Sequence, residues 1–244
     1  MATQNDADQI YAKKQTHLVD FVFDDRVASV FPDMIRRSVP GYDTILTMTG
    51  VFAEQYLHDG GVCYDLGCSL GASSLAVASH TTADRFSIIA IDNAPAMVER
   101  CKGNLAAYGD NVDVRCADIE DVLIENASLV ILNFTLQFIS PTQREALLKV
   151  VYEGIRPGGA LILSEKICFE NSEEQTLQTE LHHAFKRANG YSDLEISQKR
   201  TALENVLIPE SIAAHHQRLK HVGFRSVSTW FQCFNFASIL AVKS

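Results

Sequence analysis

Tyr64-Asp65-Leu66-Gly67-Cys68-Ser69-Leu70-Gly71-Ala72-Ser73 is the stretch that decides the fold. A short apolar run ends in an acid, and a turn punctuated by two glycines opens onto a helix-like stretch, Ala72 to Ala78. A glycine puts no side chain between the backbone and a ligand, so such a turn lets the main chain pass very close to one. Twenty-five residues after Gly67, a second apolar run, Ile88-Ile89-Ala90-Ile91-Asp92, also ends in an acid. A carboxylate at the end of the second strand of an open α/β sheet is placed to accept both hydroxyls of a ribose. The two runs together read as a nucleoside-binding half-site.

The spacing bears on which nucleoside. A dinucleotide site calls for G-x-G-x-x-G with a helix N-terminus facing a pyrophosphate. Here the pattern is Gly67-x-x-x-Gly71 preceded by Asp65, one glycine short of that fingerprint. It resembles instead the first motif of S-adenosylmethionine-dependent methyltransferases. Another nucleotide, or a tight turn without a ligand, stays open at this point.

Outward from the turn, strand-like runs stand at 62–66, 87–92, 112–116, 128–134 and 160–164, with helical patterns between them. Pro95 suits a first helical turn, and Met97, Cys101 and Leu105 repeat at i+4. Ser140-Pro141-Thr142-Gln143 reads as a capping box, followed by the apolar face Leu147, Val150 and Val151 and a stop at Pro157-Gly158-Gly159. Alternating β and α units imply an α/β fold with a mostly parallel sheet. The alternation breaks at Ser172. From about 172 to 205 the sequence predicts a helical insert: one helix capped by Ser172 with Gln175 and striped by Leu177, Leu181, Phe185 and Ala188, and a shorter one capped by Ser192 with Glu195. A helix near 210–221 and two strands, 226–234 and 236–242, complete the expected single domain over 21–244, and residues 1–20 are expected to be mobile.

The bulk composition narrows the function classes. At 244 residues and 47% hydrophobic, the chain can bury one sizeable core. A net charge of -9 argues against a standing nucleic-acid surface. Six cysteines show no C-x-x-C and no metal-like pairing with histidine, so buried free thiols, no metal and a cytoplasmic setting are expected. The polar start to His17 reads as no signal segment, and no apolar run approaches the ~20 residues that cross a bilayer.

Several side chains could carry chemistry. Asp118 ends the third strand run, where this kind of fold places an adenine; a helix N-cap is the alternative. Asn133 ends the fourth, at the mouth of the sheet, and its amide could meet the amino-acid part of a cofactor or serve only as a polar strand end. Cys68 reads as a small packing residue lending its backbone. His182 and His183 point about 100° apart on a helix and cannot chelate together. Lys186, Arg187, Lys199 and Arg200 form a basic cluster in the insert, either functional or a solvated face. No role attaches to His215 and His216.

Six segments are specific in combination: Val30-Phe31-Pro32-Asp33-Met34-Ile35, Arg37-Ser38-Val39-Pro40-Gly41-Tyr42, Tyr64 to Ser69, Ile131-Leu132-Asn133-Phe134-Thr135-Leu136-Gln137-Phe138, Phe185-Lys186-Arg187-Ala188-Asn189-Gly190-Tyr191 and Trp230-Phe231-Gln232-Cys233-Phe234-Asn235-Phe236. From about Phe21 onward the chain resembles the bacterial carboxy-S-adenosyl-L-methionine synthases. That resemblance implies a Rossmann-like methyltransferase fold with a seven-stranded sheet whose last strand inserts antiparallel. It implies that prephenate supplies a carboxyl group to the methyl carbon of S-adenosyl-L-methionine, giving carboxy-S-adenosyl-L-methionine and phenylpyruvate. A second enzyme then uses the product to carboxymethylate hydroxyuridine at the tRNA wobble position. Tyr42, Gly67, Cys68, Ser69, Asp92, Asn93, Asp118, Ile119, Asn133 and Arg200 are the implied cofactor contacts. No side-chain base stands out, so the catalytic residues stay unassigned. For the acidic second substrate, Arg200, Lys199 and the Arg36-Arg37 pair are all candidates. A homodimer that does not bind tRNA directly is expected. An ordinary methyltransferase of a small molecule or RNA, and a non-catalytic S-adenosylmethionine-binding module, are the competing readings.

Overall fold

Five apolar runs become parallel strands of one sheet in the computed structural model, which describes residues 7–14, 20–83 and 85–244. They are β1 (Gly61–Leu66), β2 (Phe86–Asp92), β3 (Val112–Cys116), β4 (Ala127–Asn133) and β5 (Ile155–Lys166). Two further strands, β6 (Ser226–Cys233) and β7 (Phe236–Val242), complete a seven-stranded sheet of order β3-β2-β1-β4-β5-β7-β6. Strand β7 runs antiparallel to both β5 and β6. The α/β fold with an inserted antiparallel last strand therefore stands as expected.

The sheet is buried on both faces, so its central strands are apolar in succession rather than alternating. Val130 and Leu132 of β4 and Leu161 and Leu163 of β5 point into one core. There they meet Leu147, Leu148 and Val151 of α5 (Arg144–Gly154) and Leu219 of α8 (Ile212–Val222). Leu129 and Ile131, with Ala160 and Ile162, point into the other. That core is covered by α2 (Tyr42–Tyr56), α3 (Ala72–His80) and α4 (Pro95–Leu105), through Ala53, Leu57, Val77, Cys101 and Leu105. Each fully buried aliphatic side chain of this kind contributes about 1.5–3 kcal/mol. An N-terminal helix, α1 (Asp25–Ser38), contains Pro32, and Val39-Pro40-Gly41 separates it from α2.

The helical insert forms as α6 (Ser172–Ala188) and α7 (Asp193–Leu203). The Ser192–Glu195 capping box is present. Three local expectations differ. Asn171, not Ser172, caps α6, accepting from the backbone N–H groups of Glu173 and Glu174, while Gln175 Oε1 turns back to the N–H of Phe169. The Ser140 box does not form: α5 starts at Arg144, and Ser140 bonds Thr142 instead. Most consequential, α6 is turned about its axis relative to its predicted stripe. Leu177 and Leu181 are 53% and 38% exposed, whereas His182 and Lys186 are buried at 5% and 7%. The helix faces the interior with its polar side because that side lines a cavity.

Of the segment expected to be mobile, 1–6 and 15–19 lie outside the described residues. The stretch 7–14 packs against the insert: Asp8 and Tyr11 are buried, Tyr191 Oη donates to Asp8, and Gln198 Nε2 donates to the carbonyls of Tyr11 and Lys13 at 2.9 and 3.0 Å. These bonds close the chain's start over α6 and α7.

Arg144 carries an unusual burden for a helix N1 residue. It is fully buried, pairs with Glu210 and donates to the carbonyls of Ile139, Gln137 and Ile208. Removing it would leave three carbonyls without this donor and Glu210 with only Arg218. Arg144→Ala is expected to lower stability by about 3–5 kcal/mol in urea denaturation; a loss under about 1 kcal/mol would show that solvent takes over these groups.

Candidate active site

The glycine turn owes its shape to two acids. Asp65, fully buried at the end of β1, accepts from both the N–H and the hydroxyl of Ser74, at 3.0 and 2.6 Å. It thereby caps the first turn of α3, a favourable place for negative charge. Burial nonetheless lifts its pKa to about 6, against the pull of those bonds. Asp92, at the end of β2, accepts from Ser69 N–H through Oδ2 and from Ala94 N–H through Oδ1, both at 2.9 Å. Each of its oxygens keeps a further lone pair, which suits a pair of ribose hydroxyls. Burial raises the Asp92 pKa as well.

Between these anchors, Gly67, Ser69 and Gly71 all adopt left-handed backbone, with φ of 79°, 51° and 84°. A Cβ on Gly67 would lie 2.3 Å from Thr135 Oγ1, and one on Gly71 would lie 2.8 Å from Cys101 Sγ. Neither position has room for a side chain. The Cys68 thiol touches Cys101 Sγ at 3.8 Å, and that contact together with burial raises its pKa far above the ordinary thiol range. It packs as a neutral thiol.

Across the cleft, Asn133 at the end of β4 donates to Ser73 Oγ at 2.9 Å and accepts from Ser164 Oγ at 2.7 Å, so its amide is held in one orientation. Asp118 follows β3 and caps the short 3-10 turn Ile119–Asp121 by accepting from Glu120 N–H. Its capping role is real, and it also borders the cavity.

A cavity of about 590 Å³ joins these residues, inside the ~300–1,000 Å³ common for small-molecule sites. It is lined by Tyr42, Gly67, Cys68, Ser69, Asp92, Asn93, Asp118, Ile119 and Asn133, nine of the ten implied cofactor contacts. The tenth, Arg200, is exposed on α7 and outside the lining. The basic cluster of the insert splits: Lys186 and Lys199 are buried and line the cavity, while Arg187 and Arg200 face outward.

Two supports escaped the sequence reading. Phe134 has φ of 61°, a left-handed conformation that a bulky residue adopts only under constraint. Its N–H bonds the Ser164 carbonyl at 2.6 Å. Beneath it, the fully buried Glu165 accepts from Leu136 and Gln137 N–H at 2.9 Å each, its pKa pushed up to about 8 by burial. Glu165 holds the loop that carries Phe134 and Thr135 into the cavity. A lone acid closing the run Leu161-Ile162-Leu163-Ser164 was the available signal.

The strand order, the two strand-end acids and the left-handed turn between them define the class: this is the S-adenosylmethionine-dependent methyltransferase fold. A methyltransferase-domain family model matches residues 63–159. Among solved structures, human N-acetylserotonin methyltransferase in complex with S-adenosylmethionine aligns with a TM-score of 0.62 and 17% identity over 90% of this chain, which spans 55% of that enzyme's length. An O-methyltransferase family protein from Burkholderia thailandensis aligns at 0.63, with 17% identity, covering 91% of this chain and 61% of that one. Sequence relatives are nearer. The carboxy-S-adenosyl-L-methionine synthase of Trichlorobacter lovleyi is 57% identical over 239 residues, 97% of this chain and 98% of its own. That of Vibrio cholerae is 53% identical over 244 residues, 99% of each. The chain belongs to the carboxy-S-adenosyl-L-methionine synthase family, and it is an enzyme that works on S-adenosylmethionine chemistry.

If Asp92 takes the ribose, Asp92→Asn is expected to weaken S-adenosylmethionine binding by about 1.5–3 kcal/mol, because an amide would replace a charged acceptor of two hydroxyls. Calorimetric titration checks this, and unchanged affinity would remove Asp92 from the nucleoside site.

Proposed function

We propose that the protein converts S-adenosyl-L-methionine and prephenate to carboxy-S-adenosyl-L-methionine and phenylpyruvate, in the cytoplasm, for later carboxymethylation of wobble hydroxyuridine in tRNA. The observation that carries this reading is the 53–57% identity, over nearly the full length, to synthases named for that product. The cavity supports it: Asp92 is oriented to take the ribose, Asp118 and Ile119 border the place of the adenine, and Asn133 with the Gly67 turn meets the amino-acid part. The net charge of -9 suits an enzyme that handles small molecules and leaves tRNA to another protein.

The sulfonium makes the methyl protons acidic, and prephenate, on aromatising, releases carbon dioxide and its ring hydroxide; the hydroxide leaves as water with one methyl proton, and the carbon dioxide bonds to the methyl carbon. The chain's own contribution is to align and to exclude water. Tyr42, Phe134 and Phe236 form an apolar wall, with Tyr42 and Phe134 centroids 6.2 Å apart and Phe134 and Phe236 6.1 Å apart. No protein base is needed for this balance.

The dimer is part of the proposal. Leu177, Leu181 and Leu194 stand 38–53% exposed on the insert, as a pairing surface would require. Arg200, exposed outside its own cavity, would then serve the new carboxylate from a second copy, through a planar two-donor fork.

The direct test is mass spectrometry of the nucleoside formed from S-adenosylmethionine and prephenate. A product heavier than S-adenosylmethionine by one carbon dioxide is expected; S-adenosylhomocysteine would point to a methyltransferase. Arg200→Ala is expected to weaken carboxy-S-adenosylmethionine by about 2–5 kcal/mol more than S-adenosylmethionine, with Arg200→Lys recovering only part. An unchanged ratio of the two dissociation constants would make Arg200 a solvated helix residue.

A further inference from the structure

One stretch of the cavity wall is basic: two buried lysines stand there against one ion-paired carboxylate, Asp8. Lys186 of α6 and Lys199 of α7 are both buried and both line the cavity. Their ammonium nitrogens lie 6.0 and 5.6 Å from the centre of the same ring, Tyr191. Lys199 Nζ donates to Ser38 Oγ at 3.0 Å, and His182 meets the Ser38 carbonyl at 2.8 Å, so Ser38 joins the two helices of the insert to the end of α1. Asp8 pairs with Lys199 at 3.8 Å and also accepts from Tyr191 Oη, which leaves Lys186 without an acid of its own among the described residues. Lys186 has no ion pair or side-chain hydrogen bond among the described residues.

Two buried ammoniums near one another disfavour each other's charged form. Burial, and then the Lys166 charge, hold Lys186 at about 8; burial, and then Lys186 itself, hold Lys199 at about 7. An anion placed between the two ammoniums would relieve both. The other candidate cations are occupied or misplaced. Arg36 pairs with Asp43, Arg37 pairs with Asp33 and stacks on Tyr191, and Arg200 is outside the cavity. Beside the lysines stand His182 and Phe236, edge to face at 5.0 Å, and behind Phe236 stands Phe134. A cationic pair next to an aromatic wall fits an acid that carries a six-membered ring.

We infer that Lys186 and Lys199 form an anion subsite that holds a carboxylate of the second, carboxyl-donating substrate, a ring-bearing keto acid, with Phe134 and Phe236 against its ring. The inference rests on the proposed reaction for the identity of the acid, but its test does not depend on turnover. Phenylpyruvate serves as the probe, titrated by calorimetry into the S-adenosylmethionine-saturated protein. Lys186→Met and Lys199→Met are each expected to weaken phenylpyruvate at least about tenfold while leaving the S-adenosylmethionine dissociation constant within about threefold. Lys186→Arg, which keeps the charge, is expected to retain part of the binding.

Thermal melts separate binding from folding. Removing an unpaired desolvated ammonium should leave Lys186→Met at least as stable as the wild type, which a merely structural lysine would not allow, whereas Lys199→Met loses its contacts with Ser38 and Asp8 and is expected to be less stable. Should Lys199→Met fail to fold, Lys186→Met decides alone, since its loss orphans no partner. Three outcomes overturn the subsite: a wild type that does not bind phenylpyruvate, variants that bind it unchanged, or S-adenosylmethionine weakened as much as the keto acid, which would assign the lysines to the cofactor's own carboxylate. If the lysine variants lose the keto acid but the wild type forms no carboxylated product from prephenate, the subsite stands and the proposed reaction falls.

Discussion

Asp65 and Asp92 close adjacent parallel strands, and the turn between them supplies the donors that both need. Asp65 takes the N–H and hydroxyl of Ser74, which forces α3 to begin where it does. Asp92 takes the N–H of Ser69, which forces the chain to double back over β2 before that helix. The short path from one acid to the other leaves only left-handed backbone at Gly67, Ser69 and Gly71. Once the turn is set, Thr135 fills the space that a side chain on Gly67 would need, and the loop after β4 closes against it. Glu165 and Ser164 fix that loop from below. The floor of the cavity is thus a chain of constraints that begins with two desolvated carboxylates.

That chain explains which parts were legible beforehand. A strand buried on both faces must be continuously apolar, so the runs ending at Leu66, Asp92 and Asn133 announced themselves, and an acid at such an end has few uses other than a turn or a ligand. The insert was harder to read. Its leucines, Leu177 and Leu181, gave a regular stripe, and a stripe is ordinarily the buried face. The rule fails here because α6 packs over a polar cavity, not over a core, and Lys186 with His182 goes inside. The capping of α6 was missed by one residue because Asn171 and Ser172 are both good N-caps and only the tertiary context chooses. Nothing in the local pattern of Asp8 revealed that it would be buried against Tyr191, a contact across 183 positions of sequence.

Charge is distributed inside the cavity far more sharply than the composition suggests. The carboxylates of Asp92 and Asp118 and the ammoniums of Lys186 and Lys199 all border one cavity. A cofactor that carries a sulfonium, a ribose and an amino acid would meet charges of both signs there, with low-dielectric walls that strengthen them. The helices that bring the cations are the insert, so the part of the chain that departs from the simple βαβ alternation is also the part that changes the cavity's sign.

The position of β7 between β5 and β6 has a consequence for how the protein is made. A chain synthesised only as far as α8 holds β5 with its outer edge unpaired, a row of free N–H and C=O groups along Leu161 to Glu165. The strand that covers this edge emerges only after α6, α7, α8 and β6, and β6 comes before it without touching β5. The sheet therefore cannot close in order of synthesis. A chain halted at that point would present an apolar edge to other chains, the kind of surface that chaperones cover and that misassembles at high concentration.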